Sequence, residues 1–232
     1  MNFMTMGLES GFTIILAIVG FVIVLIAQAK INSAYSKYGK VKVKKGVTGV
    51  EVARQILDKN GLTEIYIVET KGKLTDHYDP RRKVIRLSTD IFHGDSIASV
   101  SVAAHEVGHA IQDKDNYLFM KIRASLVPVV NIVSYLGYFT MLISIFAGIT
   151  AYLTIGILII LSTLVFQLVT LPVEFDASKR AKEELLTLEL IDKAEVKKSD
   201  AMLSAAAMTY VASLVSTLLS LLRLVIMARD AD

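Results

Sequence analysis

The stretch VPVVNIVSYLGYFTMLISIFAGITAYLTIGILIILSTLVFQLVTL, residues 127–171, decides the fold class. It holds no charged residue, and the gap between charges runs from Arg123 to Glu174. A helix needs about 20 apolar residues to cross a bilayer, so this run is too long for one crossing and reads as two. Backbone polar groups in lipid must be satisfied within the segment, which makes both crossings helical. Pro128 and Pro172 bracket this expected transmembrane hairpin, and a tight turn is expected near Gly148.

Working outward, two more runs read as spans. Residues 11–29 carry no charge. Ala27-Gln28-Ala29 has the form of a signal-cleavage site, but the stretch before it has Glu9 and no Lys or Arg, against the pattern of a signal peptide. The positive charges come afterwards, at Lys30, Lys37, Lys40, Lys42, Lys44 and Lys45. That flank belongs to a retained helix whose C-terminal end faces the cytoplasm, and it suits contact with anionic lipid. Residues 201–227 are rich in Ala and Ser and can pack closely on other helices, with Arg223 snorkelling near the end. The expected order is a tail (1–10), a first span (11–29), a polar domain (30–126), the hairpin (127–171), a charged segment (172–200), a fourth span (201–227) and a short tail (228–232). Two crossings separate the polar domain from the charged segment, so both lie on one side, the cytoplasmic one by the lysine rule. The fold class is a mainly α multi-pass membrane protein with about four transmembrane helices and a small α+β domain.

Composition agrees. Hydrophobic residues make up 53% of the 232, above the usual soluble range. A net charge of +3 gives no basis for nucleic acid as a partner. The chain has no Cys, so a metal site would have to use His, Asp and Glu. In the polar domain, Thr48 with Glu51 fits a capping box, and Gly61 fits the end of the helix between. Residues 65–68 read as a strand, Lys71-Gly72-Lys73 as a turn, and residues 83–88 as a second strand. From Asp95 or Ser96 through Gln112 the pattern is helical.

That helix carries His105-Glu106-Val107-Gly108-His109, an H-E-x-x-H pattern holding half of the four histidines. Residues four apart on a helix differ by about 40° around the axis, so both imidazoles can reach one metal ion. Glu106, beside the first of them, is placed to act as general base on a water. Chance occurrence of the pattern is the competing explanation, and the strand-loop-helix context argues against it. A catalytic zinc site takes a third protein ligand. No His follows His109, and the first acidic residue after the hairpin is Glu174. Asp176, His77, His93 and Glu183 are weaker alternatives, and Asp176 also suits a hydrogen bond to a ligand histidine. His77, Tyr78 and His93 are candidates to stabilise an oxyanion. Residues 82–88 are a candidate edge strand for an extended substrate.

Nearly the whole chain resembles the YugP-like family of bacterial membrane zinc metalloproteases. The matching residues are the Asp76-His77-Tyr78-Asp79-Pro80 turn, the strand to Ser88, Ser96–Val100 leading into Ala104-His105-Glu106-Val107-Gly108-His109-Ala110, and Leu171-Pro172-Val173-Glu174-Phe175-Asp176-Ala177. More distantly it is similar to HtpX and the CAAX-prenyl proteases. There the third ligand is the Glu of an E-x-x-x-D pattern on a helix after a membrane hairpin. Glu174 takes that Glu, but Ser178 stands where the Asp would be. The resemblance implies a gluzincin-like Zn2+ peptidase; because Glu174 follows directly on a membrane span, its protein or peptide substrates are expected near the bilayer. The alternative is a non-proteolytic membrane assembly or quality-control factor that keeps a zinc site.

Overall fold

The computed structural model describes residues 3–147 and 151–231. Along them run α1 (Phe3–Tyr38), α2 (Gly49–Lys59), β1 (Tyr66–Thr70), β2 (His77–Asp79), β3 (Val84–Ser88), α3 (Thr89–Phe92), α4 (Ile97–Lys114), α5 (Leu118–Phe146), α6 (Ala151–Thr187) and α7 (Lys193–Ala231). The turn expected near Gly148 lies outside the described residues. The chain forms two compact units.

The apolar unit draws on Met1–Gln28, Ile122–Leu171 and Thr209–Asp232. Among the described residues, four helices are long and apolar enough to cross a membrane: Gly11–Tyr38, Leu118–Ser144, Tyr152–Thr187 and Lys193–Arg229. The helices outlast the apolar runs because their polar continuations are also good helix formers. Ala, Lys, Glu and Arg carry α6 from Ala177 to Thr187. Pro128 and Pro172 flank the uncharged run in sequence, and each lies inside a helix, α5 and α6 respectively. Apolar helices accept an internal proline because neighbouring helices and local adjustments satisfy the freed carbonyl. Small residues set the packing. A Cβ built on Gly20 of α1 would stand 3.1 Å from Ser216 Oγ of α7, and one on Gly137 of α5 would stand 2.6 Å from Ile159 of α6. Phe21, Phe139 and Leu158 are exposed on the outer faces, which suits hydrocarbon rather than water.

The second unit comprises Ala29–Lys121 and Pro172–Met208. Its first helix, α2, starts at the capping box: Glu51 Oε2 accepts the Thr48 N–H at 2.7 Å, and Thr48 Oγ1 accepts the Glu51 N–H at 3.4 Å. One face of α2 buries Val52, Ala53, Ile56 and Leu57. The helix ends at Asn60, and Gly61 follows at φ +69°, a conformation that favours glycine. Arg54 donates to the Ile65 and Leu62 carbonyls at 2.9 and 3.1 Å, tying α2 to the approach of β1.

The sheet order is β1-β3-β2, with β1 parallel and β2 antiparallel to β3. The second predicted strand is therefore central and not an edge. Its side chains explain this: Val84, Ile85, Leu87 and Ser88 are all buried, so both faces are covered and no edge is offered. The edge next to α4 is β2, formed from the segment expected to be a turn. Val52, Ile56, Ile85, Leu87, Val100, Val107, Val173 and Leu185 belong to one core uniting α2, the sheet, α4 and α6.

Because the Thr48 side chain accepts the Glu51 N–H at the start of α2, Thr48→Ala should cost about 1 kcal/mol. The thermal midpoint of the detergent-solubilised protein should fall by about 2–4 °C.

Candidate metal centre

Helix α4 begins where Ser96 Oγ accepts the Ser99 N–H at 3.1 Å. Most of its side chains are buried, including His109 and Glu106, each only 7% exposed. The rings of His105 and His109 lie edge to face, with centroids 4.7 Å apart. Glu174 enters from α6 and is 2% exposed. Its Oε2 lies 3.2 Å from His105 Nε2 and 3.6 Å from His109 Nε2. A tetrahedron with bonds of about 2.0–2.1 Å, as for zinc with N and O ligands, separates its ligand atoms by about 3.3–3.4 Å. The observed pair of distances brackets that spacing. Two imidazole nitrogens and one carboxylate oxygen, all within 4.8 Å of one another, fit zinc as a donor set.

The convergence depends on Gly108. A Cβ on it would stand 2.5 Å from the Ala177 carbonyl oxygen, so the backbone of α6 lies directly against α4. Glu174 precedes Ala177 by three residues on α6, close to one turn, which brings its carboxylate onto the imidazoles.

Behind the rings, Gln112 Oε1 lies 3.0 Å from His109 Nδ1, and Ser178 Oγ lies 3.2 Å from His105 Nδ1. Asp176, expected beside a ligand histidine, reaches His109 only through Gln112, whose Nε2 donates to Asp176 Oδ2 at 2.8 Å. Gln112 is absent from the sequence expectations. Its signal was its position three residues after His109, on the same helix face.

Glu106 accepts a hydrogen bond from the Tyr78 backbone N–H. Burial pushes its carboxyl up to about 7; the charges of Glu174 and Asp76 add to this, while His105 and the Tyr78 N–H oppose it. Asp76 is itself pushed up by burial, and it accepts the Ser88 N–H at 2.7 Å. Of the other expected residues, Tyr78 donates its hydroxyl to Asp113 at 2.8 Å. Its phenol is pushed up by burial and by that bond. His77 Nδ1 lies against the Thr75 carbonyl, His93 pairs with Glu69, and Glu183 pairs with Lys179 on the surface. Among the described residues, the metal-competent group is His105, His109 and Glu174.

A family model described as "Putative neutral zinc metallopeptidase" matches residues 13–229. The chain belongs to this family. It is 44% identical over 199 residues to the "Putative membrane protease YugP" of Bacillus subtilis (strain 168), covering 86% of this chain and 88% of that protein. No solved structure matches it significantly. The family match takes in α4 and the stretch of α6 that holds Glu174.

Gly108→Ala must force α6 away from α4. The expected cost is about 1–3 kcal/mol of stability, together with weaker zinc uptake, read by thermal denaturation and by competition with a chromogenic chelator.

Proposed function

We propose that the protein is a zinc-dependent endopeptidase of the membrane, hydrolysing peptide bonds of membrane or membrane-proximal proteins. His105, His109 and Glu174 are its metal ligands and Glu106 is its general base. The observation that carries this is the unlike use of two buried carboxylates in one site. Glu174 is turned onto both imidazoles. Glu106 is held by the Tyr78 N–H, with its carboxyl raised to about 7. A purely structural metal site has no use for such a second carboxyl, whereas an acid–base catalyst works best with a pKa near the working pH.

When bound, zinc supplies Lewis acidity to a water and to the carbonyl of the scissile bond. Glu106 takes a proton from that water as its oxygen adds to the carbonyl carbon. It returns the proton to the nitrogen as the C–N bond breaks. The N–H of Tyr78 keeps the carboxylate in place for both transfers. An extended substrate segment would add to the outer edge of β2, the edge strand of the sheet nearest α4. Glu174 follows directly on the uncharged run that ends at Val173, so the ligand set belongs near the end of a span and the substrates are those found there. The lysines after residue 29 support a cytoplasmic location for this side.

Glu106→Gln should keep zinc and lose about 10²–10⁴-fold in cleavage rate. Protein termini compared between cells expressing wild type and Glu106→Gln should include a set that depends on Glu106. If no terminus depends on it while zinc is bound in both proteins, the assembly-factor alternative takes over.

The absence of Cys makes single-cysteine labelling free of background. Lys71→Cys and Lys197→Cys should resist a membrane-impermeant maleimide in intact cells and react after permeabilisation. Reaction in intact cells would reverse the topology.

A further inference from the structure

The side chain of Gln112 is fully buried, and its partners fix which way its amide faces. Nε2 donates to the Val173 carbonyl at 2.8 Å and to Asp176 Oδ2 at 2.8 Å. A carbonyl and a carboxylate only accept, so the group facing them is the NH2 and the group facing His109 is the oxygen. That oxygen only accepts. His109 Nδ1, 3.0 Å away, therefore carries a proton and donates it. Turning the amide over would set its oxygen against two acceptors in a buried site and leave a donor facing His109.

The neighbours of Asp176 extend the chain. Arg180 Nε donates to Asp176 Oδ2 at 2.6 Å, and Arg180 Nη1 donates to Asp115 Oδ2 at 2.6 Å. Asp115 caps the C-terminus of α4. A continuous path thus leaves the end of α4, crosses to α6 and returns to α4 at His109. The other imidazole has no equivalent. His105 Nδ1 meets the Ser178 hydroxyl at 3.2 Å, and a hydroxyl can donate or accept, so it imposes no tautomer.

We propose that Gln112, oriented by Asp176 and Arg180, is the positioning residue that fixes the tautomer and ring direction of His109 and so aims its Nε2 at the metal. The proposal rests on the metal-site reading given above. With Nδ1 protonated, the neutral ring presents a lone pair at Nε2 toward Glu174 Oε2, 3.6 Å off. A metal ion between two such electron-rich atoms would offset their repulsion. An amide oxygen thus does for His109 what a carboxylate does in many metal sites, without adding a negative charge.

The test uses the full-length protein in detergent, zinc with a chromogenic chelator in competition, and the absorption of the cobalt-substituted protein. Gln112→Met removes both the acceptor and the donor, and should weaken zinc binding by about 10–100-fold with a changed cobalt spectrum. Gln112→Glu keeps an acceptor for His109 but sets its second oxygen against Asp176 and the Val173 carbonyl, so it is combined with Asp176→Asn, whose amide supplies a donor; the double variant should recover most of that loss. Ser178→Ala should weaken binding less than Gln112→Met. Equal loss in Gln112→Met and the double variant would make Gln112 a strut between α4 and α6 and overturn the proposal, as would wild-type affinity in Gln112→Met. Should Gln112→Met not fold, Asp176→Asn serves: it leaves Gln112 in place but frees its amide to turn over. Weaker zinc binding in that variant supports the proposal and unchanged binding overturns it. A wild-type chain that takes up no zinc would instead overturn the metal reading, and this proposal with it.

Discussion

Where Gly108 lies against Ala177, two helix backbones come closer than any side chain beyond hydrogen permits. The rest of the site depends on that approach. It lets Glu174 reach both imidazoles, and it puts the Val173 carbonyl and Asp176 within hydrogen-bonding distance of Gln112. Widening the gap by one methyl group would loosen the carboxylate and the amide together, because both span the same crossing. The H-E-x-x-H pattern is usually read for its three charged or basic members. Here one of the two residues between them sets the geometry.

Local environment separates the two buried glutamates. Glu174 comes from a helix that crosses α4 and meets two imidazoles. Glu106 sits on α4 itself, where burial and the charges of Glu174 and Asp76 outweigh the opposing effect of His105 and the Tyr78 N–H. Burial raises a carboxyl, and burial against donors favours its charged form. Similar side chains a few ångströms apart are thereby suited to different work.

What was legible in the sequence was what depends on local pattern. The capping box at Thr48 and Glu51, the four apolar helices, the helix after Ser96 and the shared face of His105 and His109 all follow from spacing within one element. Glu174 stood out because it is the first charge after a long apolar run. The features that escaped depend on pairing between distant segments. β2 has three residues beside Pro80 and reads as a turn until β3 is there to pair with it. β3 reads as an alternating edge strand, since nothing in residues 83–88 says that a partner will lie on each side. α3 is a single turn, too short for a periodic signal. Gln112 looked like the polar end of a helix, and only the approach of α6 buries it.

The exposed edge of β2 is only His77–Asp79, about 10 Å of strand at 3.3–3.4 Å per residue. Pro80 follows at once and has no N–H to offer. A sheet edge is also a template on which other copies of the chain could stack into fibrils. Three residues stopped by a proline support too few main-chain bonds for such growth. The same bluntness limits how many main-chain bonds any added strand could make there, so selectivity for such a strand would have to rest on its side chains.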